Sequence, residues 1–380
     1  MRWDAQRLDV DDASTLPGMP SVRGLLRSVQ VPEFPGLTFH EVRARSALNH
    51  VPAESAMPFP WTINPYRGCS HACIYCFARR THEWLELDTG HDFDSQVVVK
   101  TNLVDVLRRE LSRPSWQGDH VALGTNTDPY QRAEGQYRLM PGVIRALAES
   151  GTPFSILTKG TLLRRDIPLL AEAAETVPLG LGVSMAIWDG ELHTALEPGV
   201  PTPRARLDLV RALADAGLPC GVFLAPVLPG LTDGTAELDA ALGAIAAAGA
   251  TGVTVIPLHL RPGAREWFMA WLAREHPDLV AHYERMYARR AYVPAEYRSW
   301  LSQRVAPLLA EHGLGRQSGG TARTADRAIA AGVPGDPEAG FPDGSLPTGG
   351  LPGVPPKDEV RPVPASAGTP VDGGEQLTLI

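Results

Sequence analysis

The amino-acid sequence predicts an α/β fold, a full or partial βα barrel with a helical extension and a disordered tail after it. Two observations lead to this fold class. Strand-like and helical runs alternate from Trp61 onward, and the connections between them are short, which favours a parallel sheet with crossover helices. The strand-like runs are 61–66, 97–100, 120–125, 153–158, 179–186, 220–227 and 252–258, and the helical runs lie near 102–113, 138–149, 164–175, 203–216 and 235–248.

The helical runs carry the pattern of helices that pack one face on a sheet. Leu103, Val106, Leu107 and Leu111 are spaced three and four residues apart, as in a buried helical stripe. Gly217 follows a later run of the same kind, where a glycine commonly ends a helix. The alternation is therefore that of strand–helix units.

The two ends of the chain differ from this middle part. The first residues are punctuated by proline and contain one strand-like run, from Phe39 to Ala47. After Pro262 the pattern is wholly helical and rich in Trp, Tyr and Arg, and then Gly, Pro and acidic residues take over without a period. The predicted regions are an N-terminal extension (1–50), the barrel (51–262), a helical extension (263–313) and a disordered, acidic Pro/Gly-rich tail (314–380).

Composition limits the classes of protein to which the chain can belong. With 21% charged and 44% hydrophobic residues it is typical of a globular protein. Neither a membrane span nor a signal peptide is recognisable, and the few cysteines favour the reducing cytoplasm. The net charge of −8 excludes a general basic field for nucleic acid, although arginine pairs such as Arg79–Arg80 provide local positive charge, expected on a solvated surface.

The most informative motif is a group of three cysteines, Cys69, Cys73 and Cys76. Three thiolates at this spacing suit an iron–sulfur cluster. A cubane cluster normally takes four cysteines, so three leave one iron open to bind another ligand. Cys220, the remaining cysteine, lies in an apolar strand-like run and is expected to be an ordinary core residue. The motif therefore predicts a catalytic cluster.

Structural zinc is the alternative for the same cysteines. Zinc usually takes four ligands, and His71 or His82 could complete a set of three cysteines and one histidine. No second pair of ligands follows in the sequence. This alternative corresponds to a zinc-stabilised nucleic-acid-binding protein without catalysis.

The spacing CxxxCxxC, with the aromatic Tyr75 just before the last cysteine, resembles the radical S-adenosylmethionine (SAM) superfamily. The resemblance selects the partial (β/α)6 form of the barrel. It implies that the open iron of a [4Fe–4S] cluster binds SAM, and that one electron cleaves SAM to a 5′-deoxyadenosyl radical that abstracts hydrogen. It also implies a reductant protein of the flavodoxin or ferredoxin type, and a place for Tyr75 against the adenine.

Polar residues follow the predicted strands, where reactive groups gather in βα barrels. The charges of SAM suggest their roles, because its amino group needs acceptors, its carboxylate a cation and its ribose short polar partners. The candidates are Asn126, Thr127 and Asp128 for the amino group, Lys159 and Arg206 for the carboxylate, and Ser184 for the ribose.

Two further runs, TINPYRGC at 62–69 and TDPYQ at 127–131, narrow the resemblance. They are similar to the branch of spore photoproduct lyase-like, or "DNA repair photolyase"-like, radical SAM proteins in its actinobacterial form. The resemblance covers roughly residues 40 to 310. It implies a lyase-like reaction and a substrate that is a nucleic acid or another macromolecule.

Position by position, the branch implies that Thr127, Lys159 and Ser184 contact SAM. Asn126 stands where the lyase itself carries its hydrogen-donor cysteine. No cysteine lies between Cys76 and Cys220, and this departure from the branch argues against thymine-dimer reversal by the lyase's own route.

The last five residues, Gln376, Leu377, Thr378, Leu379 and Ile380, resemble the peptide that binds the bacterial sliding clamp. Ile380 replaces the usual final phenylalanine of that motif. The resemblance implies the sliding clamp as a partner and would link the enzyme to DNA.

Overall fold

Eleven strands lie in the part of the chain that the computed structural model describes, residues 25–314 except 31, 53, 54, 56 and 289. They form two sheets. In chain order the strands are β1 (Leu25–Gln30), β2 (Thr38–Val42), β3 (Leu48–His50), β4 (Trp61–Ile63), β5 (Tyr66–Arg67), β6 (Gln96–Lys100), β7 (Val121–Leu123), β8 (Phe154–Thr158), β9 (Leu179–Ser184), β10 (Cys220–Val227) and β11 (Gly252–Pro257).

The main sheet contains β4, β7, β8, β9, β10 and β11 as parallel neighbours in chain order, with β3 added antiparallel to β4. Six parallel strands joined by helices are the predicted (β/α)6 unit, so this fold class is confirmed. Sequential parallel pairing brings the carboxyl ends of all six strands to one edge of the sheet. The site residues predicted from the strand ends therefore share that edge.

The second sheet has the order β1-β2-β6-β5 and takes up strand segments that precede or interrupt the main sheet. The run predicted at 61–66 is divided between the two sheets, β4 in one and β5 in the other. The division falls at Asn64–Pro65, because proline lacks the backbone N–H that a continuous strand would donate. The run at 97–100 belongs to this second sheet as β6, outside the parallel series.

Helices connect the parallel strands and continue after β11. The predicted helical runs are confirmed, although the run at 164–175 begins as a 3-10 helix (Thr161–Asp166). The segment after Pro262, predicted to be wholly helical, includes a short 3-10 helix (Pro277–Leu279). The α-helices are α1 (His91–Ser95), α2 (Leu103–Leu111), α3 (Arg132–Tyr137), α4 (Leu139–Glu149), α5 (Ile167–Ala174), α6 (Gly190–Leu196), α7 (Pro203–Asp215), α8 (Thr235–Ala247), α9 (Ala264–Glu275), α10 (Val280–Met286) and α11 (Ala295–Glu311).

The core lies between the main sheet and its helices. The predicted stripe of α2, Leu103, Val106, Leu107 and Leu111, is buried within it. Burying a leucine side chain removes it from water at a gain of about 1.5–3 kcal/mol, so this stripe fixes α2 on the sheet. A second apolar cluster joins the loop of the three cysteines to the helical extension.

Some predictions fall partly or wholly outside the described residues. Residues 1–24 of the predicted extension, the tail from 315 and the clamp-like peptide from Gln376 to Ile380 all lie outside them, and the four predicted regions stay a prediction. Within the described part of the chain, every helix is too short or too polar to cross a lipid bilayer.

Candidate functional site

The three cysteines lie in a tight loop between β5 and a 3-10 helix (Phe77–Leu85), on the carboxyl side of β4. Cys69 and Cys73 are buried, and Cys76 is partly exposed. Two backbone hydrogen bonds turn the loop, from Ala72 N to Cys69 O (3.1 Å) and from Cys76 N to Cys73 O (3.2 Å). Gly68 enters the loop with φ at +81°, and a Cβ there would lie 2.8 Å from a His82 carbon, so glycine is required.

Arg79 holds the far side of this loop. Its guanidinium is fully buried and donates to the carbonyl oxygen of Cys73 at 2.9 and 3.1 Å. It also donates to the carbonyl of Gly90 at 2.8 Å and pairs with Asp94 at 2.9 Å. Trp267 of α9 lies against it, with the ring centre 5.1 Å away. The expectation of a solvated Arg79–Arg80 pair is wrong for Arg79, whose planar fork joins the cysteine loop to three other segments.

We expect Arg79→Lys to lower the free energy of unfolding by about 3 kcal/mol, because a single ammonium cannot replace the five donors of the buried fork. Chemical denaturation of the purified protein measures this change. Arg80→Lys is the matched control. Arg80 is exposed and pairs with Glu83 across 3.1 Å at the surface, so its replacement should change stability by less than about 0.5 kcal/mol. Equal effects of the two variants would contradict the role of Arg79.

Gln131 and Thr127 hold the near side of the cysteine loop. The fully buried amide of Gln131 donates to Gly68 O at 2.9 Å and accepts from Ser70 N at 2.9 Å. Thr127 donates its hydroxyl to the same carbonyl of Gly68 at 2.7 Å. Thr127 thus lies directly under the loop, and its contact with SAM stays a prediction.

Burial raises the pKa of the thiols of Cys69, Cys73 and Cys76 above its ordinary value. Buried thiols are deprotonated only when a nearby cation compensates the charge, as the irons of a bound cluster would. The loop therefore brings three thiols together in one short segment, which is a donor set suited to an iron–sulfur cluster.

Among the described residues, no group of three or more His, Cys, Asp or Glu side chains is arranged to hold a metal ion, the three cysteines included, so this finding does not distinguish a cluster from the zinc alternative. Both histidines named for it are engaged elsewhere. His71 faces Asp128 across 3.3 Å, and His82 pairs with the carbonyl oxygen of Gln96 at 2.9 Å.

A fully buried carboxylate, Glu197, connects four of the predicted site residues. It accepts a hydrogen bond from the hydroxyl of Tyr75, pairs with Arg206 at 2.8 Å and lies 3.3 Å from the ammonium of Lys159. Lys159 in turn donates to the hydroxyl of Ser184 at 2.8 Å and lies 5.6 Å from the centre of the Tyr75 ring. The structure therefore brings Tyr75, Lys159, Ser184 and Arg206 together.

Charge balance explains how Glu197 remains ionised in this place. Burial alone would raise the pKa of its carboxyl, but the positive charges of Arg206 and Lys159 and the hydroxyl of Tyr75 lower that pKa to about 2. Arg206 is fully buried. Its two terminal nitrogens donate hydrogen bonds, one to Glu197 and the other to the carbonyl oxygen of Ser184 (2.7 Å). Lys159 keeps 14% of its side chain exposed. Of the two predicted cations, Lys159 is thus the one that a bound carboxylate can reach.

Asp128 contacts the backbone of Lys159, whereas Asn126 contacts a different segment. Asp128 accepts hydrogen bonds from the Lys159 backbone N–H at 2.7 Å and from the hydroxyl of Thr158 at 2.6 Å. The Asn126 backbone N–H faces the side chain of Asn64 at 3.4 Å. Asp128 therefore orients the segment that carries Lys159, and direct contacts of Asp128 and Asn126 with SAM stay predictions.

Sequence reasoning did not identify Glu197, Gln131 or Arg79. For Arg79 a usable signal exists in the 3-10 helix that follows the cysteines, because side chains three residues apart share one face of such a helix. Arg79, His82 and Leu85 follow Cys76 at this spacing, and all three are buried. Glu197 and Gln131 carry no comparable local pattern.

A sequence model described as Radical SAM superfamily matches residues 63–242, which include the cysteine loop and the strands as far as β10. Uncharacterized protein Rv2578c of Mycobacterium tuberculosis is 61% identical over 318 residues, covering 83% of this chain and 93% of that protein. Uncharacterized protein MJ0683 of Methanocaldococcus jannaschii is 26% identical over 193 residues, covering 51% of this chain and 69% of that protein.

Among solved structures, spore photoproduct lyase complexed with dinucleoside spore photoproduct is similar in fold. The TM-score is 0.55 at 15% sequence identity, and the match covers 72% of this chain and 79% of the lyase. A single-residue variant of the same lyase gives a TM-score of 0.55 at 16% identity, with the same coverage.

Proposed function

The chain belongs to the radical SAM superfamily and is an enzyme, and from this premise we propose how it binds its cofactors and what it acts on. The family implies a [4Fe–4S] cluster and SAM, which when bound supply a 5′-deoxyadenosyl radical for hydrogen abstraction. We propose that Cys69, Cys73 and Cys76 bind the cluster. We propose further that the substrate is a nucleic acid.

For SAM, we propose that the group around Glu197 forms the binding surface. Lys159 would pair with the carboxylate of SAM, Ser184 would bond a ribose hydroxyl, and Tyr75 would lie against the adenine. Arg206 would act through Glu197. Lys159 and Ser184 are already 2.8 Å apart, which supports one ligand meeting both side chains.

The observation that carries the nucleic-acid proposal is an aromatic shelf made of Phe77, His259, Tyr292 and Arg261. Phe77 directly follows Cys76 and is 37% exposed. Its ring centre lies 5.4 Å from that of His259, which is stacked on Tyr292 at 5.6 Å. The guanidinium of Arg261 lies 5.8 Å from the centre of the Phe77 ring. An exposed ring and a cation therefore meet beside the last cysteine.

The electrical properties of the shelf suit a nucleobase and its phosphate. Burial lowers the pKa of His259 to about 4, with a further contribution from Arg261, so the imidazole is neutral near pH 7. The stacked rings then carry no charge, and the positive charge lies on Arg261 alone. Base–aromatic stacking with a nearby arginine is the usual way in which proteins hold single-stranded nucleic acid. The lyase with the similar fold is itself complexed with a dinucleoside, which agrees with this proposal.

We expect Phe77→Ala to weaken binding of a short single-stranded DNA oligonucleotide by about 1–3 kcal/mol, or roughly 5- to 150-fold in Kd, as for other stacking aromatics. Fluorescence anisotropy on the reconstituted protein measures the Kd. Phe77→Tyr should retain most of the affinity because it keeps the ring. Iron content is measured in parallel, since Phe77 adjoins a cysteine.

Trp300 provides the matched control for this experiment. It is 38% exposed and lies under Arg304, whose guanidinium is 4.1 Å from the ring, but it belongs to α11 and not to the shelf. Trp300→Ala should leave the affinity within about twofold. An unchanged Kd in Phe77→Ala, or an equal loss in both variants, would refute the shelf as the nucleic-acid site.

A further inference from the structure

We propose that a depression above the cysteine loop docks the electron donor of this enzyme, a one-electron carrier protein with an acidic surface. The inference rests on the proposed cluster and adds the face by which its electron arrives. The depression has a volume of about 310 Å³ and lies over the segment between Cys69 and Cys73. His71, Gly199, Leu162 and Arg132 contribute to its lining.

Only backbone separates the floor of the depression from the cysteine loop. Gly199 donates its N–H to the carbonyl oxygen of His71 at 3.1 Å. A Cβ on Gly199 would lie 2.1 Å from the carbonyl oxygen of Ser70, so no side chain fits between the two segments. A protein resting on Gly199 would therefore be one backbone layer away from the residues that hold the cluster. Such closeness is what electron transfer between two proteins requires.

The wall of the depression offers an apolar contact and a fixed positive charge. Leu162 is one of the exposed large apolar side chains of the described residues, at 36%. Arg132 is exposed, and its guanidinium is held over the ring of Phe34 at 4.9 Å. None of the ten residues that line the depression is acidic. An apolar centre with a basic rim complements an acidic carrier, because opposite charges steer encounter and like charges oppose it.

Two exposed arginines near the depression add to its positive charge. Arg164 and Arg204 are exposed and lie two and three residues after lining residues, Leu162 and Pro201. The carboxylates of Glu134 and Asp166 are buried, and both are paired with Arg165 at 2.6 and 2.7 Å. The buried acids are thus neutralised within the protein, while the arginines face outward.

The electron balance of the step is simple. With a cluster bound, one electron would pass to it from the reduced carrier, so the carrier would lose one electron and the cluster would gain one. No bond of the chain forms or breaks. The residues of the depression do not overlap those of the aromatic shelf, so a donor and a nucleic acid would use different surfaces of the protein.

The test compares reconstituted wild-type enzyme with the variants Arg132→Glu and Leu162→Asp, using an acidic flavodoxin as the probe. Titration calorimetry measures binding of oxidised flavodoxin, and stopped-flow absorbance measures cluster reduction by flavodoxin hydroquinone. We expect each variant to weaken binding and to slow reduction by about tenfold, and wild-type binding to weaken at high salt. Arg145→Glu reverses an exposed charge on α4 and serves as the control. Its flavodoxin affinity and its rate of reduction should stay within about twofold of the wild-type values.

Reduction by dithionite separates this inference from the cluster assignment. Dithionite is a small molecule and needs no docking surface, so its rate should be the same in all variants with equal iron content. Unchanged flavodoxin binding in Arg132→Glu and Leu162→Asp would overturn the docking site. So would an equal slowing by flavodoxin and dithionite. Absence of any cluster in the wild-type protein would instead remove the proposed function itself.

Discussion

Replacement of Cys73 by alanine is expected to reduce the iron bound after anaerobic reconstitution from about four atoms per chain to below about one. Reductive cleavage of SAM should fall to background in the same preparation. The physical reason is the small donor set. Each of the three loop thiols would hold a different iron of a cubane, and two thiols cannot retain a cluster that already lacks a fourth. Iron analysis, visible absorbance and detection of 5′-deoxyadenosine measure the three consequences.

Cys73 is well suited to this test because hydrogen bonds to its backbone fix its position. Its carbonyl oxygen accepts two hydrogen bonds from the buried fork of Arg79, and its thiol is buried. These contacts involve the backbone and remain in the alanine variant. The loop should therefore keep its path while losing only one sulfur, and a loss of iron can be assigned to the thiol.

Cys220→Ala is the matched control. Cys220 is also buried, but it is the first residue of β10, at the edge of the main sheet opposite to the cysteine loop. Its replacement should cost about 1 kcal/mol of stability and leave the iron content unchanged. Full iron and normal SAM cleavage in Cys73→Ala would refute the cluster assignment. A colourless wild-type protein that holds one zinc atom would favour the binding protein instead.

The sequence predicted the parts of this molecule that depend on local patterns. Alternating periodicity predicted the six parallel strands because each strand and helix buries a face that its own residues define. Parallel strands share one edge for their carboxyl ends, so Lys159 and Ser184, which lie at the ends of neighbouring strands, could be expected near each other. They are 2.8 Å apart.

The parts that the sequence did not predict depend on contacts between distant segments. Glu197 accepts a hydrogen bond from Tyr75, which lies 122 residues earlier in the chain, and no periodic pattern marks such a pair. Arg79 and Arg80 are the same residue type side by side, and yet one is fully buried and the other exposed. Their environments differ because a 3-10 helix turns every third residue inward, and composition alone does not reveal that type of helix.

Replacement of Glu197 by glutamine is expected to lower the free energy of unfolding by about 3–5 kcal/mol at pH 7, because it leaves buried cations without their counter-charge. Arg206 is fully buried, and Lys159 is nearly so, at 14% exposed. Glutamine has the shape of glutamate, so the loss would come from charge and not from packing. Affinity for SAM should fall as well, since Tyr75 and Lys159 both depend on this carboxylate for their orientation.

Glu191→Gln is the matched control for that variant. Glu191 lies near the start of α6, just before Glu197 in the chain, but its side chain is exposed. Its replacement should change stability by less than about 0.5 kcal/mol. The double variant Glu197→Gln/Arg206→Met removes the carboxylate together with its main cation. The double variant should lose less stability than the sum of the losses in the two single variants, because the effects of residues in one network are not additive.

The pH dependence distinguishes the charge of Glu197 from its shape. The pKa of this carboxyl is lowered from 4.5 to about 2 in the folded protein. A lowered pKa gives stability that is complete above about 4.5, the value of an unfolded glutamate, and that is lost as pH falls toward 2. The difference in free energy of unfolding between wild type and Glu197→Gln should therefore be constant from pH 7 down to about 5. It should become smaller only below about pH 4.5. A gap that stays constant through this acidic range would mean that glutamine disrupts hydrogen bonding or packing, and that the buried charge is not what holds Tyr75, Lys159 and Arg206 together.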